Sequence, residues 1–222
     1  MFRKDFFMNR RMCLMNERGF TLIEMIGVLA IIAILVAALS PRIFSAISDS
    51  KVTSFSTVVK TVQTATSKYY ADVGTLFPLS AAGVPAADAA GTLLPGILVA
   101  TTAPSTNGFW TKFRGPYLDK FSNTNPPIGR AMTMPAVIAV AGAVNAANVT
   151  NYDLNGDGTG DYPATCEIIS IQLTGVSLNE FNKLDGILDE GIGTSAAEKQ
   201  ARGKVKWANA AGGTVRVFIA AR

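Results

Sequence analysis

Residues 20–39 form a run of twenty residues in which Glu24 is the only charged side chain. Twenty residues of α-helix rise about 30 Å, which is enough to cross the apolar core of a bilayer. No second run approaches this length, because the apolar stretch 136–141 is short and predicts a buried strand. The sequence therefore predicts one membrane-spanning helix followed by a domain of mixed composition.

The basic excess of the chain lies directly in front of this run. Residues 1–19 carry five basic and two acidic side chains, which is +3 of the total net charge of +4. Positive residues beside the first apolar segment stay in the cytoplasm, so we expect a cytoplasmic N-terminus and a C-terminal domain on the other side of the membrane. The remaining residues carry a net charge of +1, so the basic pI gives no argument for nucleic-acid binding.

The cysteine and histidine content limits which disulfides, metal sites and catalytic pairs the chain can form. The chain has two cysteines, Cys13 and Cys166, and no histidine. Because Cys13 lies in the basic leader, an exported domain would keep Cys166 alone, which excludes an intramolecular disulfide and a cysteine metal cage. Cys166 begins a strand-like segment, and we expect a buried, inert thiol. Without histidine the chain lacks Ser-His and Cys-His nucleophile pairs, and we expect no enzyme.

The charged residue inside the apolar run points to function. A carboxylate in a membrane segment is costly and usually marks a functional site. The apolar run is longer than the core of a secretory signal peptide, and no small-residue cleavage site closes it. The unusual sequence lies instead at its front, where it reads Arg18-Gly19-Phe20-Thr21-Leu22-Ile23-Glu24.

This segment resembles the class III signal sequence of type IV pilins and type II secretion pseudopilins, and the close match covers about residues 16–75. The resemblance implies that a prepilin peptidase cuts between Gly19 and Phe20 on the cytoplasmic side and methylates Phe20. It implies that Glu24 pairs with the N-terminal amine of Phe20 on a neighbouring subunit, and that Pro41 kinks the helix. It also implies an assembly ATPase, an inner-membrane platform protein and like or related pilin subunits as partners.

The leader is longer than many pilin leaders. Four methionines can each serve as its start: Met1, Met8, Met12 and Met15. We therefore assign residues 1–19 to a leader peptide, while the translation of residues 1–14 stays open.

The helical pattern continues beyond Pro41 with a different character. We expect a transmembrane half over 20–41 and an amphipathic half over 42–73, with glycine and proline ending the helix near Asp72. The predicted apolar stripe consists of Phe44, Ile47, Phe55, Val58, Val62, Ala65, Tyr69 and Val73.

Residues 74–222 are expected to form an α+β head, in which the long helix packs on a small antiparallel sheet, as in pilins. Its first part, up to Pro135, is rich in proline and predicts an irregular connection with one short helix over 86–94. A strand is expected over 166–173 and a hairpin from 204–207 and 214–219. The aromatic residues expected to pin the connection to the core are Trp110, Phe113, Tyr117 and Phe121. The capping-box pattern Ser177-Leu178-Asn179-Glu180 opens a helix with Leu178, Phe181, Leu184 and Leu188 on one face.

Oxygen-bearing side chains alternate in one loop of the head and are followed by glycines. The candidate calcium ligands are Asp153, Asn155, Asp157, Thr159 and Asp161. The closing glutamate of such a loop is missing, because Ala164 stands in its place. The alternative is a polar Asp/Gly turn without metal.

Basic residues near the C-terminus allow a second reading of the head. They are Lys199, Arg202, Lys204, Lys206, Arg216 and Arg222. Such charge suffices to bind phosphates, but a solvated strand face is commoner, so nucleic acid is an unlikely partner.

Two functions remain after these exclusions. The first is a structural subunit of a type IV filament, either a secretion pseudopilus or a type IV pilus, stored in the inner membrane with its head in the periplasm or in an extracellular filament. The alternative is a monomeric, membrane-tethered periplasmic binding domain, with calcium as a candidate ligand.

Overall fold

A computed structural model describes residues 19–139, 151–190, 192–193, 195–209 and 212–222. The chain divides into two compact units, Met1–Phe44 and Ser45–Arg222. The leader residues before Gly19, including the four candidate start methionines, lie outside the described residues, as do residues 140–141 at the end of one predicted strand.

Helix α1 (Leu22–Val73) contains the predicted membrane segment. Within the first unit its apolar side chains are exposed all round, with Ile23 at 78% and Leu29 at 62% exposure. A helix that is apolar on every side needs either lipid or other helices as its surroundings. By length and composition α1 is the one helix among the described residues that can cross a membrane. The helix continues through Pro41, whereas the kink at this residue stays a prediction.

The part of α1 in the second unit is amphipathic. Its buried face recurs at three- and four-residue spacing and comprises Val52, Phe55, Val59, Val62, Ala65, Tyr69 and Val73. The predicted stripe is confirmed from Phe55 onward, although Val58 is only half-buried. It is wrong at Phe44 and Ile47, which are 71% and 48% exposed, because the buried face begins only at Val52.

The head contains an antiparallel sheet of five strands. They are β1 (Ala131–Thr133), β2 (Ala136–Ile138), β3 (Glu167–Thr174), β4 (Val205–Asn209) and β5 (Thr214–Ala221). The order is β1-β3-β5-β4, and β2 also pairs with β3. Ile171 lies opposite Val217 in the β3–β5 pair, and Val205 lies opposite Val217 in the β4–β5 pair. The expected α+β arrangement of one long helix on a small antiparallel sheet is confirmed.

Each face of the sheet carries its own apolar cluster. The larger cluster joins the buried face of α1 to side chains such as Ile169, Ile171 and Leu173 of β3. The smaller one contains Ile168 and Phe218, with Tyr152 tilted against Phe218 at 5.2 Å between ring centroids. Cys166 packs on this second cluster but is only half-buried, so the prediction of a fully buried thiol is wrong. Its position one residue before β3 places it at the margin of the sheet.

Aromatic side chains fasten the long connection to α1, as expected. Tyr69 of α1 meets Tyr117 edge-on at 5.7 Å, Tyr117 meets Phe113 at 5.3 Å, and Phe113 meets Trp110 at 5.5 Å. Trp110 lies in a short 3₁₀ helix (Gly108–Lys112) and donates its ring N–H to the Ser80 carbonyl at 2.8 Å. These rings and Phe121 all pack against the main core.

The short helix of this connection lies further along than predicted. Helix α2 spans Leu93–Val99 rather than 86–94. Asp88 is the reason, because its carboxylate accepts hydrogen bonds from the backbone N–H groups of Gly91, Thr92 and Leu93 and holds a turn before the helix. Gly91 has φ +70°, which is incompatible with an α-helix.

Among the described residues of the C-terminal half there are two helices, each opened by a capping box. Helix α3 (Leu178–Leu188) begins after Ser177 as predicted, and Phe181 and Leu184 are buried. Leu178 is 52% exposed, because it is the first residue of the helix and lies at the surface. The prediction that it belongs to the buried apolar face is therefore wrong. Helix α4 (Ala196–Ala201), capped by Ser195 and Glu198, was not predicted although the same Ser-x-x-Glu pattern precedes it.

Phe55 tests whether the packing of α1 holds the head together. Its side chain is fully buried in the main cluster, so we expect Phe55→Ala to lower the free energy of unfolding by about 3–5 kcal/mol. Both tryptophans of the chain, Trp110 and Trp207, lie in the head, so their fluorescence during denaturant unfolding of the detergent-solubilised chain reports on this unit. The exposed Thr57→Ala is the matched control, and equal stability of the two variants would contradict this packing.

Candidate functional site

The start of α1 is a reciprocal capping box formed by Thr21 and Glu24. The backbone N–H and the hydroxyl of Thr21 donate to Oε2 of Glu24, at 2.8 Å and 2.7 Å. The backbone N–H of Glu24 donates back to the Thr21 hydroxyl at 3.3 Å. This arrangement satisfies two N–H groups that a helix start otherwise leaves unpaired, and it turns the carboxylate toward the N-terminal end of the helix.

The second carboxylate oxygen of Glu24, Oε1, takes no part in this cap. Oε1 accepts none of the hydrogen bonds formed between described residues, because both contacts from Thr21 go to Oε2. The negative end of the side chain also lies where the helix dipole is positive. Thr21 is a residue whose role the sequence reasoning missed, although Thr21-x-x-Glu24 fits the same capping pattern that was read correctly at Ser177.

Gly19 and Phe20 lie immediately before this capped start. Phe20 is 83% exposed. A Cβ added at Gly19 would meet nothing within 4 Å, and the backbone there is not left-handed. The fold described around Gly19 therefore does not itself require a glycine.

The five predicted calcium ligands lie in one tightly hydrogen-bonded loop. The Asn155 amide donates to Oδ2 of Asp157 at 3.2 Å and to Oδ1 of Asp161 at 3.1 Å, which brings these three side chains together. Asp157 also accepts the backbone N–H of Thr159 at 2.7 Å. Hydrogen bonds from the Thr159 side chain, followed by the one from its backbone, lower the pKa of Asp157, so its carboxylate is ionised at neutral pH.

Asp153 is tied to the backbone of the same loop. Its Oδ1 accepts from the N–H groups of Gly156 and Asp157, at 2.7 Å and 3.1 Å, and its Oδ2 accepts from Gly158 at 2.7 Å. Arg202 lies beside it, with Nε 3.6 Å from Oδ2 of Asp153. Within the described parts of the chain no three His, Cys, Asp or Glu side chains are grouped closely enough to hold a metal ion. Calcium binding by this loop stays a prediction.

The six C-terminal basic residues do not share one surface. Lys206 is fully buried, 4.6 Å from the centre of the Tyr152 ring, and donates to the carbonyl of Asn151. Burial, with a smaller effect of Arg216 and partly opposed by Asp153, lowers the pKa of Lys206 to about 8. Arg216 donates to Gln172 at 2.9 Å, and Arg222 donates to the Gly74 carbonyl. Their reading as a phosphate-binding patch is therefore wrong for Lys206, and Arg202, Arg216 and Arg222 each make contacts within the head.

A pocket of about 410 Å³ opens between α3 and α4. Its lining is Asn182, Asp185, Gly186, Ala196 and Lys199. Asp185 is only 4% exposed, and its Oδ1 has no hydrogen-bond partner among the described residues. Burial, and secondly the charge of Asp189, raise the pKa of Asp185 to about 6, with Lys199 opposing. No sequence signal marked this residue, because an acidic residue in a helix ordinarily faces water.

The comparisons with known proteins concern the N-terminal segment. Residues 14–40 match the family model of the prokaryotic N-terminal methylation motif, which is the signal of type IV pilins and pseudopilins. No curated protein and no solved structure matches the chain. The resemblance noted from the residues around Gly19 and Glu24 is thus confirmed for this segment.

Calcium binding can be tested on the full chain in detergent. If the loop binds calcium, added calcium should raise the free energy of unfolding, by about 2.7 kcal/mol when the free ion is 100-fold above its Kd. Asp157→Asn combined with Asp161→Asn should abolish this gain, and Asp185→Asn should leave it intact. Identical unfolding curves of the unaltered chain in calcium and in chelator would contradict the prediction.

Asp185 should make the stability of the head depend on pH. Because its pKa is raised to about 6 in the folded chain, the folded state keeps a proton that the unfolded state loses near pH 4. The free energy of unfolding should therefore fall as pH rises from about 4 to about 6, by roughly 1 kcal/mol after screening by water at the pocket mouth. Asp185→Asn should remove this part of the fall, as measured by tryptophan fluorescence at each pH; an unchanged slope would contradict the assignment.

Proposed function

We propose that the chain is a structural subunit of a type IV filament, either a secretion pseudopilus or a type IV pilus, assembled through α1. In this proposal a prepilin peptidase cuts between Gly19 and Phe20 and methylates the new N-terminal residue, Phe20. The main support is that two features occur together. Residues 14–40 match the methylation motif, and the apolar side chains of the helix in this segment are exposed among the described residues of the first unit.

The surroundings of the cleavage position support processing by another protein. Since the described residues around Gly19 leave open space for a larger side chain, we attribute the glycine to recognition by the peptidase rather than to the fold. Phe20 is exposed and non-helical, because α1 begins only at Leu22. A short, exposed segment without helical structure in front of a capped helix is accessible to a peptidase.

Glu24 is proposed to set the register of assembly. Its Oε2 holds the start of its own helix, so Oε1 is available for the positive amine of Phe20 on a neighbouring subunit. Such a pair removes two charges that would otherwise be unpaired among apolar helices. In this role one side chain both begins the helix and joins it to the next subunit.

The proposal also includes the orientation of the chain in the membrane and its partners. The positive residues before the apolar run favour a cytoplasmic N-terminus, so the head would lie in the periplasm or in an extracellular filament. Removal of a subunit from the membrane requires work on the helix, for which we propose an assembly ATPase and an inner-membrane platform protein. Like or related pilin subunits then replace lipid around residues 20–39.

Variants of Glu24 separate its two roles. Glu24→Ala loses both the cap and the charge, whereas Glu24→Gln keeps a side chain that can cap the helix but has no charge. We expect both variants to insert in the membrane and to lower filament yield by about tenfold or more. The measurement is the ratio of sheared filament to membrane-stored subunit, with Met25→Leu as the control.

Two outcomes would count against this role. Filament yield at the unaltered level from Glu24→Ala would contradict any need for Glu24 in assembly. An unaltered yield from Glu24→Gln with a loss from Glu24→Ala would restrict Glu24 to capping and refute the charge pair. A chain that stays in the membrane as a tethered monomer would favour the alternative of a binding domain.

A further inference from the structure

The pocket between α3 and α4 contains a buried carboxylate that has no role in the proposed assembly of subunits through α1. Asp185 lines the pocket and is 4% exposed, and within the described parts of the chain one of its oxygens has no hydrogen-bond partner. Its pKa of about 6 leaves it mainly ionised at neutral pH. A buried ionised carboxylate without a partner is costly, and a protein ordinarily pairs such a group.

Neighbouring charged groups do not supply that pair. Asp189, one turn further along α3, has the same charge, and its oxygens accept the N–H groups of Lys204 and Val205 at 2.8 Å and 2.6 Å. Lys199 on α4 lines the opposite wall but is exposed, and no ion pair within 4.0 Å joins it to Asp185 among the described residues. The Asp185 carboxylate therefore lines a pocket in which no described cationic side chain of its own chain forms an ion pair with it.

The size and lining of the pocket select the kind of cation. A calcium ion needs six to eight oxygen ligands, and the described residues contain no group of three acidic side chains close enough to hold a metal. The pocket, at about 410 Å³, has room for a cationic group on an aliphatic stem. Gly186 and Ala196 supply a surface without bulky side chains for such a stem, and the Asn182 amide supplies a further polar contact.

We propose that this pocket receives the ammonium group of a lysine from a second copy of the chain, as a contact between heads in the filament. The proposal rests on the proposed filament function. Charge complementarity selects the occupant, because the described surface offers exposed lysines, among them Lys51, Lys60 and Lys68, and none of these three forms an ion pair within its own described chain. The heads would thereby add an electrostatic contact to the packing of the apolar helices.

Gly186 allows the pocket to be closed without changing Asp185. A Cβ added at Gly186 would meet nothing within 4 Å, and the residue has ordinary helical backbone. Gly186→Leu should therefore fold and fill the pocket, whereas Gly186→Ala should fold and leave it open. Asp185→Asn keeps the shape of the side chain and removes its charge.

The test is zero-length carbodiimide coupling, which joins a carboxylate to an amine in contact, applied to filaments mixed from isotopically light and heavy subunits. We expect a peptide containing Asp185 to be joined to a lysine peptide of the other isotope. This product should be lost in Asp185→Asn and reduced about tenfold or more in Gly186→Leu, but unchanged in Gly186→Ala. Unassembled Asp185→Asn subunits should nevertheless be more stable at pH 7.5 than unaltered ones, which a purely structural role would not predict.

The outcomes separate this contact from the filament proposal. Filaments in which Asp185 couples only to Lys199 of its own chain, or to no amine, would refute the contact and leave the filament intact. Failure of the unaltered chain to form any filament would refute the proposed function and this contact together. An equal yield of the product in Gly186→Leu and Gly186→Ala would show that the coupled lysine does not enter the pocket.

Discussion

The exposed apolar surface of residues 20–39 is the constraint on which the rest of this chain depends. Burial of one leucine or isoleucine side chain is worth about 1.5–3 kcal/mol, and the membrane segment leaves such side chains half or more exposed, as at Leu22, Ile34 and Val36. Within the described residues of the first unit this surface is not covered. The segment therefore needs lipid or other helices, and it lies within the residues that match the prokaryotic N-terminal methylation motif, 14–40.

The core of the head uses only the second part of α1 and none of the exposed apolar segment. The buried face of α1 begins at Val52 and continues to Val73, where it packs in the main core. The described hydrophobic core of the second unit is therefore formed by residues of that unit. Polar contacts on the other elements hold the connections between them, as where Asp88 accepts from the start of α2 and Asp189, at the end of α3, accepts from the start of β4.

Much of the fold and of the N-terminal site could be predicted because the signals are local. Apolar spacing located α1, and period-two patterns located β3 and the β4–β5 hairpin to within about two residues. The capping-box pattern predicts α3, and the same Ser/Thr-x-x-Glu pattern stands at Thr21 before α1 and at Ser195 before α4. The local sequence therefore also carries a signal for the helix cap of Glu24 and for helix α4.

Other features depend on contacts between distant residues and had no local signal. Lys206 and Arg216 are separated by ten positions and were grouped as surface charge, yet Lys206 is buried against Tyr152. Asp185 is buried beside residues of α4 that line the same pocket, which the sequence of its own helix does not reveal. The displaced α2 depends on a side chain, Asp88, that binds backbone groups three to five positions away. Burial of a polar residue is a tertiary property, so sequence pattern underestimates it.

The mature N-terminus of the chain tests the central claim most directly. Mass spectrometry of the subunit from membranes and from sheared filaments, in cells with and without the prepilin peptidase, reads it without any substitution. The account predicts a chain that begins at Phe20 and bears one added methyl group when the peptidase is present, and an uncut leader when it is absent. A subunit that keeps its leader in both fractions when the peptidase is present would contradict the account.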